Sequence, residues 1–272
     1  MRRRWARALL TCVFVAELTA AVLVPAQPVP TRPIDTTQTL VVGDRTVRLV
    51  SVGGSGAERL LSRVAANIGA AIDKVVAFWG VDWPHEISVA AAGSREQFLT
   101  AVGGGPASQW ADIAAVAVAD SVDPSRRVAV GQRIVFAPGA DNMSDDALRI
   151  VLAHELFRYA ARVDTALDAP QWLTEGVADF VARPNTAPPA DAAPSLPSDN
   201  DLNAPGPERS RAYDRAWWFA RFVADTYGTA TLRAFYIAAC GVGRSELATA
   251  VRDVLGTDVP GLLVRWQQWL TG

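Results

Sequence analysis

Two short stretches of the sequence place metal-binding and acid–base side chains at helical spacing. The first, VLAHELFRYAARV, has His154 and Glu155 in the middle of an apolar run. A His-Glu-x-x-His sequence on a helix puts two imidazoles on one face, where both can bind one metal ion beside the glutamate, which acts as general base. In this chain the second histidine position is Arg158. The pattern indicates the chemistry of metal-assisted hydrolysis, with one ligand changed.

The second stretch, QWLTEGVADF, supplies carboxylates at the distance where a second helix provides the third metal ligand. Glu175 has the ligand position, and Asp179 lies one turn later on the same face. A metal-bound imidazole usually donates its other ring N–H to a carboxylate or carbonyl. Asp179 is therefore predicted to hold the ring of His154.

Together, the two stretches resemble the gluzincin zinc metallopeptidases, specifically the bacterial peptidase MA-like domains. The resemblance is specific over residues 148–182 and looser over 86–147 and 212–271. It implies that His154 and Glu175 are zinc ligands and that Glu155 activates water. It also makes Tyr213 a candidate for stabilising a tetrahedral oxyanion.

Arg158 departs from the family pattern because it brings a permanent charge to the metal position. A unit charge about 4 Å from a divalent ion is repelled by about 8 kcal/mol at an effective dielectric near 20, and a guanidinium cannot lose its proton. One hypothesis is that Arg158 replaces the metal, binds Glu175 and holds the two helices together. The other keeps a zinc ion on His154 and Glu175 with a substitute ligand, either Asp179 or His85.

The elements that must position these residues predict an α+β fold. We expect a small mixed or antiparallel sheet with helices, followed by a mainly helical C-terminal subdomain, as in gluzincins. Alternating and helical apolar spacing predicts the following elements: a hairpin in 39–52, strands in 86–92, 113–122 and 127–137, and helices in 56–79, from Ser94 through Leu99, from Ser144 to about Val163, from Pro170 to before Pro184, and in 212–227, 229–240, 244–255 and 259–270.

The N-terminus reads as an export segment. A basic start precedes an apolar run with a small-residue cleavage site, typical of a signal peptide, although an uncleaved membrane anchor is also compatible. The predicted location is secreted or cell-envelope. The predicted organisation is a signal peptide or anchor (1–26), a Pro-rich linker (27–37), a metallopeptidase-like part (38–182), a flexible loop (183–210) and a helical subdomain (211–272).

Charge restricts the partners. The chain has 26 Lys and Arg against 28 Asp and Glu, a net charge of −2, and no basic stripe with interleaved aromatics, which argues against a nucleic-acid partner. Contact with a membrane is expected only through the N-terminal segment. A peptide or a cell-envelope protein remains as the partner class, and residues 128–136 are a candidate edge strand for an extended peptide.

Three functions remain open. The first is a metallopeptidase-like protein with a degenerate motif that binds a peptide or partner without hydrolysis. The second is an active zinc peptidase that uses His154, Glu175 and a substitute ligand, with Glu155 as base. The third is an unrelated cell-envelope interaction module in which the motif is coincidental.

Overall fold

The computed structural model describes residues 36–106, 110, 113–189 and 192–272. The first half contains both strands and helices, and the second half is helical. In chain order they are β1 (Thr36–Val42), β2 (Arg45–Ser51), α1 (Ser55–Trp79), β3 (Glu86–Ala91), α2 (Arg95–Ala101), β4 (Ala115–Val118), β5 (Ser121–Asp123), β6 (Val128–Val130), β7 (Arg133–Phe136), α3 (Asp145–Ala161), α4 (Gln171–Ala182), α5 (Asp199–Leu202), α6 (Pro207–Tyr227), α7 (Thr229–Cys240), α8 (Leu247–Leu255) and α9 (Val259–Thr271).

The larger sheet is mixed and has the strand order β1-β2-β3-β7-β4. β1 and β2 form the predicted hairpin, with Gly43 at a left-handed φ of 61° in the turn. β3 pairs in parallel with β2 and with β7, and β4 closes the far side antiparallel to β7. The α+β class, the mixed sheet and the helical C-terminal part are thus confirmed.

The strands predicted in 113–122 and 127–137 are each divided in two. β4 pairs with β7 in the larger sheet, whereas β5 and β6 form a separate two-stranded ribbon. The break between β6 and β7 falls at Gly131, which has a left-handed φ of 64°. The side chain of Arg133 donates hydrogen bonds to Asp120 and to the Gly131 carbonyl oxygen across this break. Because β7 lies between β3 and β4, the prediction that residues 128–136 form the exposed edge is wrong for β7. The edge is β4.

The segment predicted as a flexible loop contains regular structure. A capping box at Ser198 starts α5, in which Leu202 is buried, and α6 begins at Pro207 rather than at the predicted residue 212. Asp199 accepts a hydrogen bond from the backbone N–H of Trp172 at 2.9 Å, so that α5 is attached to the start of α4. Residues 190 and 191 lie outside the described residues.

The predicted export segment (1–26) also lies outside the described residues, as does the predicted linker up to residue 35. The last two linker positions, Thr36 and Thr37, belong to β1 instead. None of the helices within the described ranges is long and apolar enough to cross a bilayer.

The main hydrophobic core joins one face of the larger sheet to the helices of both halves. Its centre is a chain of edge-to-face aromatic contacts that links α1, α3 and α7, formed by Trp79, Phe157 and Tyr236. The aromatic run of α6, interpreted from the sequence as core, is buried at Trp217, Trp218, Phe219 and Phe222. A smaller apolar cluster, which includes Phe98 and Trp110, covers the other face of the sheet.

The close approach of α4 to α6 depends on Gly176. A Cβ at this position would lie 2.5 Å from the Ala216 carbonyl oxygen, closer than real Cβ contacts. Gly176→Ala is therefore expected to lower the free energy of unfolding by about 2 kcal/mol, measured by urea denaturation. The matched control is Gly69→Ala in α1, where a Cβ meets only a Val42 methyl at 3.6 Å. That change should stabilise by roughly 0.5 kcal/mol, and equal effects at both sites would refute the packing argument.

Candidate functional site

The motif residues are carried by α3 and α4, two buried helices that pack against each other. α3 begins where the side chain of Ser144 accepts a hydrogen bond from the N–H of Ala147, as predicted from the sequence. Asp145 and Asp146 complement the positive end of the helix. Because α3 is buried on most of its surface, its polar side chains must find partners inside the protein.

His154 lies between two carboxylates from α4. Its Nδ1 donates to Asp179 Oδ1 at 2.9 Å, and its Nε2 lies 3.2 Å from Glu175 Oε2. The second contact is an ion pair without hydrogen-bond geometry, since neither atom has a hydrogen-bond partner among the described residues. Asp179 thus has the position beside the imidazole that its helical spacing predicts.

Arg158 also contacts Glu175. Its Nη1 donates to Glu175 Oε1, the carboxylate oxygen that does not face His154. Glu175 is fully buried, and the Arg158 side chain is 8% exposed. The guanidinium therefore lies beside the carboxylate that would bind the metal, as the replacement hypothesis requires.

Arg183, at the end of α4, completes the arrangement and was missed in the sequence. It binds Asp179 Oδ2 at 3.1 Å and Asp214 Oδ1 at 2.8 Å, and its guanidinium lies 4.7 Å from the Trp217 ring centroid. The i, i+4 spacing of Asp179 and Arg183 was the available signal. We use the name charge network for His154, Arg158, Glu175, Asp179 and Arg183.

Glu155 points elsewhere. Its Oε2 accepts a hydrogen bond from the backbone N–H of Ala117 in β4 at 2.8 Å, and the side chain is fully buried. Arg162, at the C-terminal end of α3, donates to the carbonyl oxygen of Ala117 at 2.5 Å. The predicted general base thus contacts the edge strand of the sheet, a relation that helical spacing alone did not indicate.

The two remaining candidates differ in position. Tyr213 is buried in α6, and both burial and the nearby charge of Glu175 raise the pKa of its hydroxyl. His85 has a largely exposed side chain that contacts Asp44 at 3.2 Å. His85 is therefore not the substitute ligand considered in the sequence.

The charge network meets the requirements of a zinc site only in part. Two ligands about 2.0 Å from a tetrahedral zinc ion lie about 3.3 Å apart, close to the 3.2 Å between His154 Nε2 and Glu175 Oε2. A catalytic zinc needs three protein ligands, and the third position has the guanidinium of Arg158. In the described part of the chain, no three His, Cys, Asp or Glu side chains are placed to share one metal ion. The residues present do not fit a catalytic zinc.

The carboxylates keep His154 charged. Burial alone lowers the pKa of the imidazole, but the hydrogen bond to Asp179 and the contact with Glu175 outweigh burial and raise the pKa to about 10. Burial likewise opposes ionisation of Asp179, yet Arg183 and His154 hold the pKa of that carboxyl below its usual value. The site is therefore an internal set of paired ions.

Stability should accordingly depend on pH through His154. Its folded pKa of about 10 exceeds the unfolded value of 6.5, so its contribution is complete below pH 6.5 and is lost as pH rises through 10. We expect urea denaturation to give a steeper loss of stability between pH 6.5 and 10 for the native chain than for His154→Gln. Cys240 and Tyr159, whose pKa values are also raised by burial, act equally in both proteins. Parallel pH profiles would contradict the prediction.

Neither a protein-family model nor a curated protein matches the sequence. Among solved structures, the chain is similar to a two-domain M1 zinc metallopeptidase variant bound to L-tryptophan, with 19% identity and a TM-score of 0.47 over 87% of this chain and 51% of the other. A variant bound to L-arginine gives 17% identity and 0.47 over 87% and 52%.

An M1 zinc metallopeptidase variant from Deinococcus radiodurans gives 18% identity and a TM-score of 0.44, over 87% of this chain and 51% of the other. The chain spans about half the length of these structures. These values are too low to transfer a residue role, a metal or an activity.

Proposed function

We propose that this chain is an exported metallopeptidase-like protein that does not hydrolyse peptides and instead binds a peptide or a cell-envelope protein. The observation that carries the proposal is the hydrogen bond from Arg158 to Glu175. It supports the proposal because the carboxylate that the sequence resemblance assigns to zinc is already neutralised by a side chain of the neighbouring helix.

The charges around this contact add support. Arg158 and Arg183 are permanent cations. His154 is protonated at neutral pH because its pKa is raised to about 10. The carboxylates of Glu175 and Asp179 are each in contact with two of these cations. A divalent ion would add positive charge to a buried group in which three cations already face two carboxylates, and it would have to displace the guanidinium to reach Glu175.

The export part of the proposal rests on the N-terminal sequence, with its basic start and apolar run. The binding part follows from the proposed loss of hydrolysis. A domain that keeps the metallopeptidase helices but not the reaction can still bind a partner through its surface.

The spacing of His154 Nε2 and Glu175 Oε2 favours one alternative. Apart from their ion pair, these two atoms have no hydrogen-bond partner among the described residues, and their separation is that of two zinc ligands. An active zinc peptidase would need Arg158 to move away and a third ligand to replace it. Glu155 would then have to leave Ala117 to act as base.

The test is the metal content and the hydrolytic activity of the native protein. Protein purified and dialysed with zinc is expected to hold much less than one zinc per chain by mass spectrometry, and to show no chelator-sensitive cleavage of a mixed peptide library. His154→Ala is the matched control, because cleavage that survives this change comes from a contaminant. One zinc per chain together with cleavage lost in His154→Ala would establish the peptidase alternative instead.

A further inference from the structure

The edge strand β4 offers its outward backbone groups to α3. In an antiparallel pair, successive residues direct their N–H and C=O alternately toward the partner strand and away from it. Ala117 binds Glu155 through its N–H at 2.8 Å and Arg162 through its C=O at 2.5 Å. Both groups of Ala117 therefore point away from β7, to the side where a further strand would add.

The two side chains present the same chemistry as an added strand. A residue of an incoming peptide would offer one C=O to the Ala117 N–H and one N–H to its C=O. Glu155 supplies the acceptor and Arg162 the donor, from positions two helical turns apart. The strand is also covered, since Ala115, Val116 and Ala117 are at most 1% exposed.

We infer that Glu155 and Arg162 occupy the outward N–H and C=O of Ala117, so that no extended peptide pairs with β4 while α3 is in place. Glu155 then acts as an anchor for this strand. The inference rests on the proposed function in one respect: Glu155 is available as an anchor only if it is not needed as a base. It narrows that function, because a peptide or protein partner must then bind at another surface.

Hydrogen exchange at single amides tests the anchor. In Glu155→Ala the Ala117 amide loses its acceptor and should exchange about tenfold faster or more, since a hydrogen bond to a charged group contributes at least that factor. In Glu155→Gln the side-chain carbonyl can still accept, so the Ala117 rate should stay close to native. The amide of Val116, which pairs with Val135 on β7, is the internal control and should keep its rate in both variants.

The outcomes separate cleanly. An Ala117 amide that exchanges at the native rate in Glu155→Ala overturns the anchor, and so does a Gln variant that behaves like the Ala variant. If Glu155→Ala does not fold, the native protein decides the question by NMR titration with a mixed library of unstructured peptides. Shifts at Ala115 and Ala117 on peptide addition would overturn the closed edge, and shifts confined to other surfaces would support it. Zinc content and cleavage are measured independently, so failure of the proposed function is recognised separately.

Discussion

Arg158→Ala is expected to lower the free energy of unfolding by about 3 kcal/mol. The change leaves Glu175, which is fully buried, with one cationic neighbour instead of two. Removing one partner of a buried ion pair costs about 3–5 kcal/mol because the other charge stays in a low-dielectric interior. The remaining contact with His154 puts the expectation at the lower end. Urea denaturation of the native and substituted chains measures the difference.

A control on the same helix separates the network from arginine loss in general. Arg149 lies on α3 and pairs with Asp146, but the side chains are 52% and 86% exposed. Exposed pairs contribute about 0–1 kcal/mol, so Arg149→Ala should be close to native. A double-mutant cycle with Arg158→Ala and Glu175→Ala should give a coupling of about 1–3 kcal/mol. Equal losses at the two arginines, or additive effects in the cycle, would mean that Arg158 does not hold the helices together.

This expectation differs from the behaviour of a metal ligand. A ligand histidine contributes to stability mainly through the metal ion that it binds. Here the side chain at that position forms part of the buried contact between α3 and α4. In this structure the side chains of Arg158, His154 and Arg183 compensate the charges of the buried carboxylates.

The sequence predicted those parts of the fold that depend on local signals. The turn at Gly43 and the cap at Ser144 were readable because each is set by a few neighbouring residues. The division of the strand pair at Gly131 was not, since it depends on which strand each half meets in three dimensions. The helix within the predicted loop was hidden by a Pro- and Asp-rich composition that suggests disorder, although Leu202 is buried.

The site divides in the same way. The meeting of Arg158 with Glu175 followed from i, i+4 spacing on two adjacent helices. The direction of Glu155 did not follow, because a helix position next to the metal face can turn either to the metal or to a neighbouring strand. Only the packing of α3 on β4 brings the Ala117 amide within 2.8 Å of its carboxylate. Arg162 was missed for the same reason.

Arg158→His is expected to complete a set of three zinc ligands. An imidazole at this position would join His154 and Glu175, whose facing atoms already have the separation of two tetrahedral ligands. Asp179 already binds the other ring nitrogen of His154, as in metal sites with a supporting carboxylate. We expect one zinc per chain by mass spectrometry and, at a zinc concentration about 100-fold above Kd, a stabilisation of about 2.7 kcal/mol.

The matched control is Arg158→Gln, which removes the positive charge without supplying an imidazole. This variant tests whether zinc uptake needs the added imidazole or only the removal of the positive charge. Equal zinc uptake in the Gln and His variants would show that removing the charge is sufficient. Even with zinc bound, Arg158→His should not cleave peptides, because Glu155 remains hydrogen-bonded to Ala117. Metal binding and hydrolysis would then be separable in one variant. Chelator-sensitive cleavage by Arg158→His would instead mean that the Glu155 contact opens readily, and that a single charged side chain keeps this protein from acting as a peptidase.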